Sequence, residues 1–312
     1  MIFSELHPGQ GLGNQLFVYV STRAIAKKLG HDFAIKNSHN LKAPRLLDLD
    51  WGGDIPEEYS VHNEYTHGLG SPLNTPQQNI SLTDKSVFNV KGDTELVGMY
   101  LSEGYFHECT DELSDWLKVN PDQEHNDTND DNLCVINVRG GPHQRNSHVY
   151  PPRSYWDNGI KRMLEYNPDM KFVVVTDDPE GAKQILPECE CFHKGIETER
   201  QNPTDSKLGM WDYVALKNCK HVICSTTTFA CFPLWTNKNL KKCISPKYNF
   251  CMNHSNGWWC TGAGIYSYVT DYMDSQGNLM SPKECRKEWK DFYLRHNIYS
   301  PQDLENSYDW DA

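Results

Sequence analysis

LCVINVRGG at residues 133–141 and KFVVVTDD at 171–178 decide the fold. Each is a run of β-branched and apolar residues that stops abruptly at charged residues or glycine. A run of that length bounded by turn residues reads as a strand covered on both faces. Between them RSYWDNGIKRMLEY (153–166) has a helical pattern. The alternation continues with CECFH (189–193) as a short strand, SKLGMWDYVALKNC (206–219) as a helix and HVICS (221–225) as a strand. FACFPLW (229–235) then opens another helix, and KKCISP (241–246) closes the series. Strands alternating with helices predict an α/β protein built on a parallel sheet wrapped on both faces.

The N-terminal part repeats the theme. Residues 2–6 read as a strand and Gly9–Gly13 as a glycine loop. NQLFVYVSTRAIAKKL (14–29) is a helix stopped by Gly30, and HDFAIK (31–36) is a second strand. Residues 37–95 are rich in Pro, Gly, Asn, Gln and Ser without a sustained period, and read as loops. ELVGMYL (95–101) is a further strand, and Thr110 caps a short helix in DELSDWLKV. The polar, acidic stretch NPDQEHNDTNDDN (120–132) is the best linker candidate. The aromatic tail beyond residue 250 has one helix signal, PKECRKEWKDFYLRH (282–296). Two α/β units joined by a linker place a ligand at their junction, beyond the carboxyl ends of the strands.

The chain of 312 residues has room for two cores, at roughly 100–200 residues per domain. Its 42 acidic against 30 basic residues leave a formal charge of -12, which argues against general nucleic-acid binding. A local basic groove for one small anion stays compatible with that charge. No run of about 18 apolar residues occurs, so no membrane-spanning helix is expected. The N-terminus is too short and polar for a signal peptide. An odd count of 11 cysteines, several inside apolar runs, reads as reduced thiols packed as small hydrophobes. The expected location is cytoplasmic. Sequons at Asn79, Asn126 and Asn253 would matter only in a secretory compartment.

Four motifs carry candidate chemistry, each with a plain structural alternative. Gly9–Gly13 before a helix lets backbone N–H groups approach an anion, or it is only a turn. It is not a dinucleotide fingerprint, because the last glycine of that pattern is Gln15. Asn137-Val138-Arg139-Gly140-Gly141 ends a strand with a guanidinium that can clamp a phosphate, or can form a salt bridge. Asp177 and Asp178 can accept from ribose hydroxyls or a guanine amino edge, or bind a metal. Alternatively, Asp178 before Pro179 caps a helix. Ser225-Thr226-Thr227-Thr228-Phe229 is a strand-to-helix turn suited to a pyrophosphate, or to N-capping. Cys189-x-Cys191-x-His193 and Cys251-x-x-His254 with Cys260 contain metal-ligand types without the paired spacing of a structural zinc site, so no metal is expected.

Taken together these segments resemble the fucosyltransferase superfamily, closest to the α-1,2-fucosyltransferases. GLGNQLF (11–17) is similar to that family's G-x-G-N-Q-x-F opening. LVGMYLSEGYF (96–106) is similar to L-x-G-Y-F-Q-S-E-x-Y-F at Leu96, Gly98, Ser102, Glu103, Tyr105 and Phe106. NVRGG falls where the family has H-x-R-R-G-D, and VTDD where it has S-D-D. Residues 212–235 follow its D-x-x-x-M-x-x-C-x-x-x-I-x-x-N-S-S-F-S-W-W pattern at Asp212, Cys219, Ile223 and Phe229. The motif is degenerate. The family histidine is Asn137, its second arginine Gly140 and its aspartate Pro142, and Cys231-Phe232 replace the tryptophan pair.

The resemblance implies a GT-B-like α/β fold of two facing Rossmann-like domains. Residues 1–125 would form the N-terminal, acceptor-side domain with the glycine loop. Residues 133–250 would form the nucleotide-sugar-binding domain, and 251–312 an extension packing back on the core. It implies an inverting, metal-independent glycosyltransferase with no cofactor, moving L-fucose from GDP-fucose to a glycan hydroxyl. Another GDP- or UDP-sugar, or a catalytically decayed glycan-binding protein, remains the alternative. By position, Arg139 takes the donor's β-phosphate, with Asn137 beside it. Thr226, Thr227, Thr228 and Phe229 hold the pyrophosphate, and Asp177 and Asp178 lie near the nucleoside. Gly11, Gly13 and Asn14 approach the phosphates and the reacting sugar. Arg139 and Asn14 are thus candidate catalytic groups, with His7 before the glycine loop a candidate base and Glu64 and Glu103 unranked alternatives. The expected partners are a nucleotide sugar and a glycan acceptor.

Overall fold

The computed structural model describes residues 1–64, 67–69, 78–80, 83–139, 151–191, 210–247, 265–274 and 276–295. The chain is an α/β protein that divides into two compact units. One holds Met1–Lys118 with Thr261–Tyr266 and Arg286–Ala312, the other Val119–Cys260 with Ser267–Cys285.

The first unit is built on β1 (Ile2–Glu5), α1 (Leu12–Leu29), β2 (Phe33–Lys36), β3 (Ser60–Asn63) and β4 (Thr94–Val97). The sheet runs β2-β1-β4-β3, and every pairing is parallel. Helix α1 is buried over most of its circumference, with Leu16, Phe17, Tyr19 and Val20 inaccessible to solvent. Its small polar residues are buried too: Thr22 bonds Val18 O at 2.7 Å and meets Ser4 of β1 at 2.6 Å. Gly30 ends the helix at φ 69, with its N–H bonded back to Lys27 O at 3.1 Å, the left-handed cap expected there.

Two readings of this unit need correction. Residues 37–95 contain β3, in register with β4 from Ser60↔Thr94 to Asn63↔Val97. Ser-Val-His-Asn lacks a strand signature because it is an edge strand, with Ser60, Val61 and Asn63 exposed. In DELSDWLKV, Thr110 does not cap a helix. It sits inside the 3-10 turn His107–Glu112 and donates to His107 O at 3.0 Å, and only Leu113–Trp116 is α-helical.

The second unit holds β5 (Leu133–Val138), α2 (Arg153–Tyr166), β6 (Lys171–Thr176), α3 (Pro179–Ile185) and β7 (Glu190–Cys191). There follow α4 (Met210–Asn218), β8 (His221–Cys224), α5 (Cys231–Trp235) and β9 (Lys242–Pro246). The tail then supplies two strands without a sequence signal, β10 (Asp271–Met273) and β11 (Leu279–Met280); α6 (Pro282–Arg295) follows, its residues from Arg286 onward belonging to the first unit. The sheet order is β7-β6-β5-β8-β9-β10-β11, parallel except for the last pair. Tyr155, Trp156 and Met163 of α2 pack in one core with Cys134, Ile136, Val174 and Ile223. Gly159 lets that helix approach: a Cβ there would lie 3.1 Å from Ile223 Cγ2 and 3.2 Å from its Cδ1.

The stretch 120–132 is no free linker. Thr128, fully buried, donates to Ala215 O at 2.7 Å, and Glu124 pairs with Lys217 at 2.5 Å. The His125 ring stacks on Trp211 at 4.8 Å, with 5° between the ring planes. Asp131 takes Lys220 and Lys241 at 2.9 and 2.6 Å, and these two bonds pull its carboxyl down to about 2. Its polarity reflects a strap tied to the second unit by side-chain bonds rather than by apolar burial. We predict that Thr128→Val, which removes the hydroxyl bond to the Ala215 carbonyl and leaves that carbonyl the Cys219 N–H alone, destabilises this unit by about 1 kcal/mol. Chemical denaturation checks it, with Thr128→Ser expected close to wild type.

Candidate functional site

Strand β5 is where the order of the second sheet reverses: the chain runs outward through β6 and β7, then returns to place β8 on the other side of β5. In an open parallel sheet such a reversal leaves a crevice at the carboxyl ends of the two strands, because their connections depart to opposite sides. Val138↔Thr176 and Asn137↔Cys224 are the last register pairs of β5 with its neighbours. The residues just beyond them, Arg139, Asp177 and Ser225, therefore share one edge.

Ser225 organises this edge. Its N–H donates to Asn137 O at 2.9 Å, continuing the ladder one residue past β8. Its hydroxyl accepts the Arg139 N–H at 3.0 Å and lies 3.4 Å from Asn137 Oδ1. Ser225 is buried, 3 % exposed, so the backbone at Arg139 is held by an interior contact. The sequence reading leaves Ser225 out of the candidate binding residues, although it opens the seryl-threonyl run.

The Arg139 guanidinium is half-buried and donates through Nη1 to Thr227 Oγ1 at 3.4 Å. Among the described residues no carboxylate lies within 4 Å of it. The salt-bridge alternative weighed for this arginine therefore lacks a partner there. Thr227 Oγ1 also accepts the Phe229 N–H at 3.1 Å, and Thr228 O accepts Cys231 N–H at 3.2 Å, which makes the Thr226–Phe229 turn compact. The Phe229 ring stands edge-on to Tyr213 of α4, at 6.2 Å and 81°. Thr226, Thr227 and Thr228 remain half-buried at the edge.

The two aspartates part ways. Asp178 accepts Gly181 N–H at 3.1 Å and is the N-cap of α3, with Pro179 in the first helical turn. Asp177 is exposed at the end of β6. The structure thus links Asn137 and Arg139 through Ser225, joins Arg139 to Thr227, and engages Asp178 in its own helix. Gly140, Gly141 and Pro142 lie outside the described residues, as do His193, Cys251, His254 and Cys260 of the metal-type motifs.

Four further candidates, His7, Gly11, Gly13 and Asn14, lie in the loop after β1 and the first turn of α1. Gly11 is the residue before α1, at φ -73, and an added Cβ would meet nothing within 4 Å. Gly13 is buried in the first turn, and Asn14 is half-buried. His7 is exposed, with Nδ1 3.8 Å from Glu5 Oε1. Gln15, unranked in the sequence, is fully buried and laces the loop. Its Nε2 donates to His7 O at 3.2 Å and Asn40 O at 2.8 Å, and its Oε1 accepts Lys42 N–H at 2.8 Å. Glu103 is also buried, 2 % exposed.

No protein-family model matches the chain, and no curated protein matches it in sequence. Among solved structures, the fucosyltransferase NodZ from Bradyrhizobium aligns over 78 % of this chain and 95 % of its own, at 14 % identity and a TM-score of 0.46. The NodZ alpha-1,6-fucosyltransferase soaked with GDP-fucose aligns over 82 % and 96 %, at 13 % identity and 0.46. POFUT1 in complex with GDP-fucose aligns over 78 % and 97 %, at 8 % identity and 0.42.

Asp178→Ala should cost about 1 kcal/mol of stability while Asp178→Asn, which keeps an accepting oxygen, stays within about 0.5 kcal/mol of wild type. Urea unfolding of the three proteins checks it.

Proposed function

We propose that the chain is a glycosyltransferase that moves a sugar from a nucleoside diphosphate, L-fucose from GDP-fucose by the motif resemblance, to a glycan hydroxyl. One observation carries this reading. Arg139 presents a half-buried guanidinium at the reversal point of a parallel sheet, with no carboxylate partner among the described residues. A cation placed there needs an anion, and guanidinium matches phosphate through two parallel hydrogen bonds. The threonine turn adds hydroxyl donors at the same edge, and Asp177 is the acceptor nearest in topology for nucleoside hydroxyls or a base amino group.

The chemistry follows from that anion. Breaking the bond from the anomeric carbon to the diphosphate leaves positive character on carbon and negative charge on the departing oxygens. A guanidinium fixed before the reaction, with its backbone held by Ser225, stabilises that charge without reorganising. In this reading the leaving group needs no metal, and attack from the face opposite the diphosphate inverts the anomeric centre. Asn14 with Gly11 and Gly13 serves the reacting sugar, and the exposed His7 imidazole accepts the proton of the acceptor hydroxyl. A glycan-binding protein without transfer is the competing outcome of the test.

Arg139→Ala should lower sugar transfer roughly 10²-fold or more, and Arg139→Lys should recover only part of it. The measurement is free nucleotide released from a panel of GDP- and UDP-sugars in the presence of glycan acceptors. Turnover in Arg139→Ala close to wild type removes Arg139 from the reaction. A wild-type protein stabilised by glycans but by no nucleotide or nucleotide sugar favours the binding protein.

A further inference from the structure

The first sheet has a reversal point of its own, between β1 and β4: the chain leaves β1 for β2 on one side, crosses to β3 at the far edge, and returns to place β4 on the other side of β1. The glycine loop follows β1. LVGMYLSEGYF begins in β4 and runs on past its end. Glu64, the residue directly after edge strand β3, reaches across to that second segment. Its Oε2 accepts the N–H groups of Met99 and Tyr100 at 2.8 and 2.9 Å, and its Oε1 accepts the Tyr105 hydroxyl at 2.9 Å. Its own N–H donates to Val97 O at 2.8 Å.

The surroundings are shaped around this carboxylate. A Cβ on Gly98 would stand 2.6 Å from Glu64 Oε2, so only glycine admits it. Tyr100 is held at φ 48, a left-handed conformation costly for a bulky residue, and its carbonyl is fixed by Ser21 of α1 at 3.1 Å. Tyr105 is itself oriented by the Asp84 N–H at 2.8 Å, and Asp84 lies 3.1 Å from His62 Nε2. Three ionisable or hydroxyl groups thus face Glu64: Tyr100, Tyr105 and Asp84, with His62 behind Asp84. The clamp also touches the glycine loop, because Gln10 Nε2 donates to Met99 Sδ at 3.3 Å and Gln10 Oε1 accepts the His7 N–H at 3.4 Å.

We propose that Glu64 is the positioning residue of the glycine loop: its carboxyl group, accepting from Met99, Tyr100 and Tyr105, fixes Met99 against Gln10 and so holds residues 7–15. Burial raises Glu64 above its ordinary value, against the lowering by the Tyr100 amide, the Tyr105 hydroxyl and the Met99 amide, with the Asp84 charge adding to the rise. The sign follows from linkage. The closed clamp binds the proton more tightly than an opened one, so its stabilisation is complete below the open-state value. It is lost as pH rises through the closed-state value. The proposal depends on the transfer reaction only in supposing that this loop serves it.

Hydrogen exchange of the full chain between pH 5 and 8 tests it, read as protection factors for residues 7–15 and 98–106, with residues 133–138 as reference. In wild type, protection of both segments should fall as pH rises through the Glu64 titration. Glu64→Gln, a neutral acceptor, should flatten that dependence. Met99→Leu should loosen residues 7–15 and leave 98–106 protected, and Glu64→Ala should lose roughly tenfold at both segments. In a transfer assay Glu64→Gln should change the pH profile of kcat/KM. The proposal is overturned if residues 7–15 exchange identically in wild type, Glu64→Gln and Met99→Leu, or if Glu64→Gln keeps the wild-type pH dependence. Those two variants decide even where Glu64→Ala does not fold. A wild type that transfers no sugar while the exchange pattern holds removes the transferase reading and leaves the clamp. Transfer with an unchanged exchange pattern removes the clamp alone.

Discussion

The site depends on a cation held in place by the backbone around it. Arg139 is half-buried and keeps part of its hydration, and the described residues around it offer one 3.4 Å hydroxyl contact in place of a carboxylate. What fixes it is the backbone. Asn137 and Ser225 stand at the ends of adjacent parallel strands, and the Ser225 hydroxyl takes the Arg139 N–H while its own N–H closes the ladder. The energy that orders the site therefore comes from the sheet core, where Cys134, Ile136, Val174 and Ile223 are inaccessible to solvent. This also reconciles an acidic chain with an anionic ligand. A net charge of -12 is a property of the whole surface, whereas the proposed site is one cation, a hydroxyl turn and a strand edge.

The two units apply the same rule at their own sheets. In each, the order reverses beside a central strand, and loops with unusual residues follow the two strands at the reversal. In the second unit the loops carry Arg139 and the threonine turn. In the first they carry the glycine loop and the Glu64-held segment, where the left-handed Tyr100 stores backbone strain. The strain is offset by three hydrogen bonds to one carboxyl group and by the packing of Tyr100 against Tyr105 at 5.0 Å.

The second sheet was legible because its central strands are buried on both faces and so read as unbroken apolar runs. LCVINV and KFVVVT match the observed β5 and β6 residue for residue. The edge elements were not legible. Ser60–Asn63 is polar because most of it faces solvent, and Asp271–Met273 and Leu279–Met280 are too short for any period to emerge. The strap 120–132 misled for a related reason: it is tied by Thr128, Glu124, His125 and Asp131, and side-chain bonds leave no apolar pattern. At the site, residue types at strand ends pointed to Arg139 and to the turn around Thr227. The roles of Ser225, Gln15 and Glu64 depend on partners that include Asn137, Lys42 and Met99, respectively 88, 27 and 35 residues away, separations that no local pattern encodes. The motif at 96–106 gains a physical account from those partners, since Gly98 and Tyr105 are both required by Glu64.

The central claim, that the reversal point of the second sheet binds a diphosphate, is tested most directly by calorimetric titration of the wild-type chain with GDP, UDP and their nucleosides at fixed salt. The account predicts that one diphosphate binds roughly tenfold or more tightly than its own nucleoside, the difference lying in charge-assisted bonds to Arg139 and the threonine turn. Equal affinity for nucleoside and diphosphate, or no binding of either diphosphate, would contradict it.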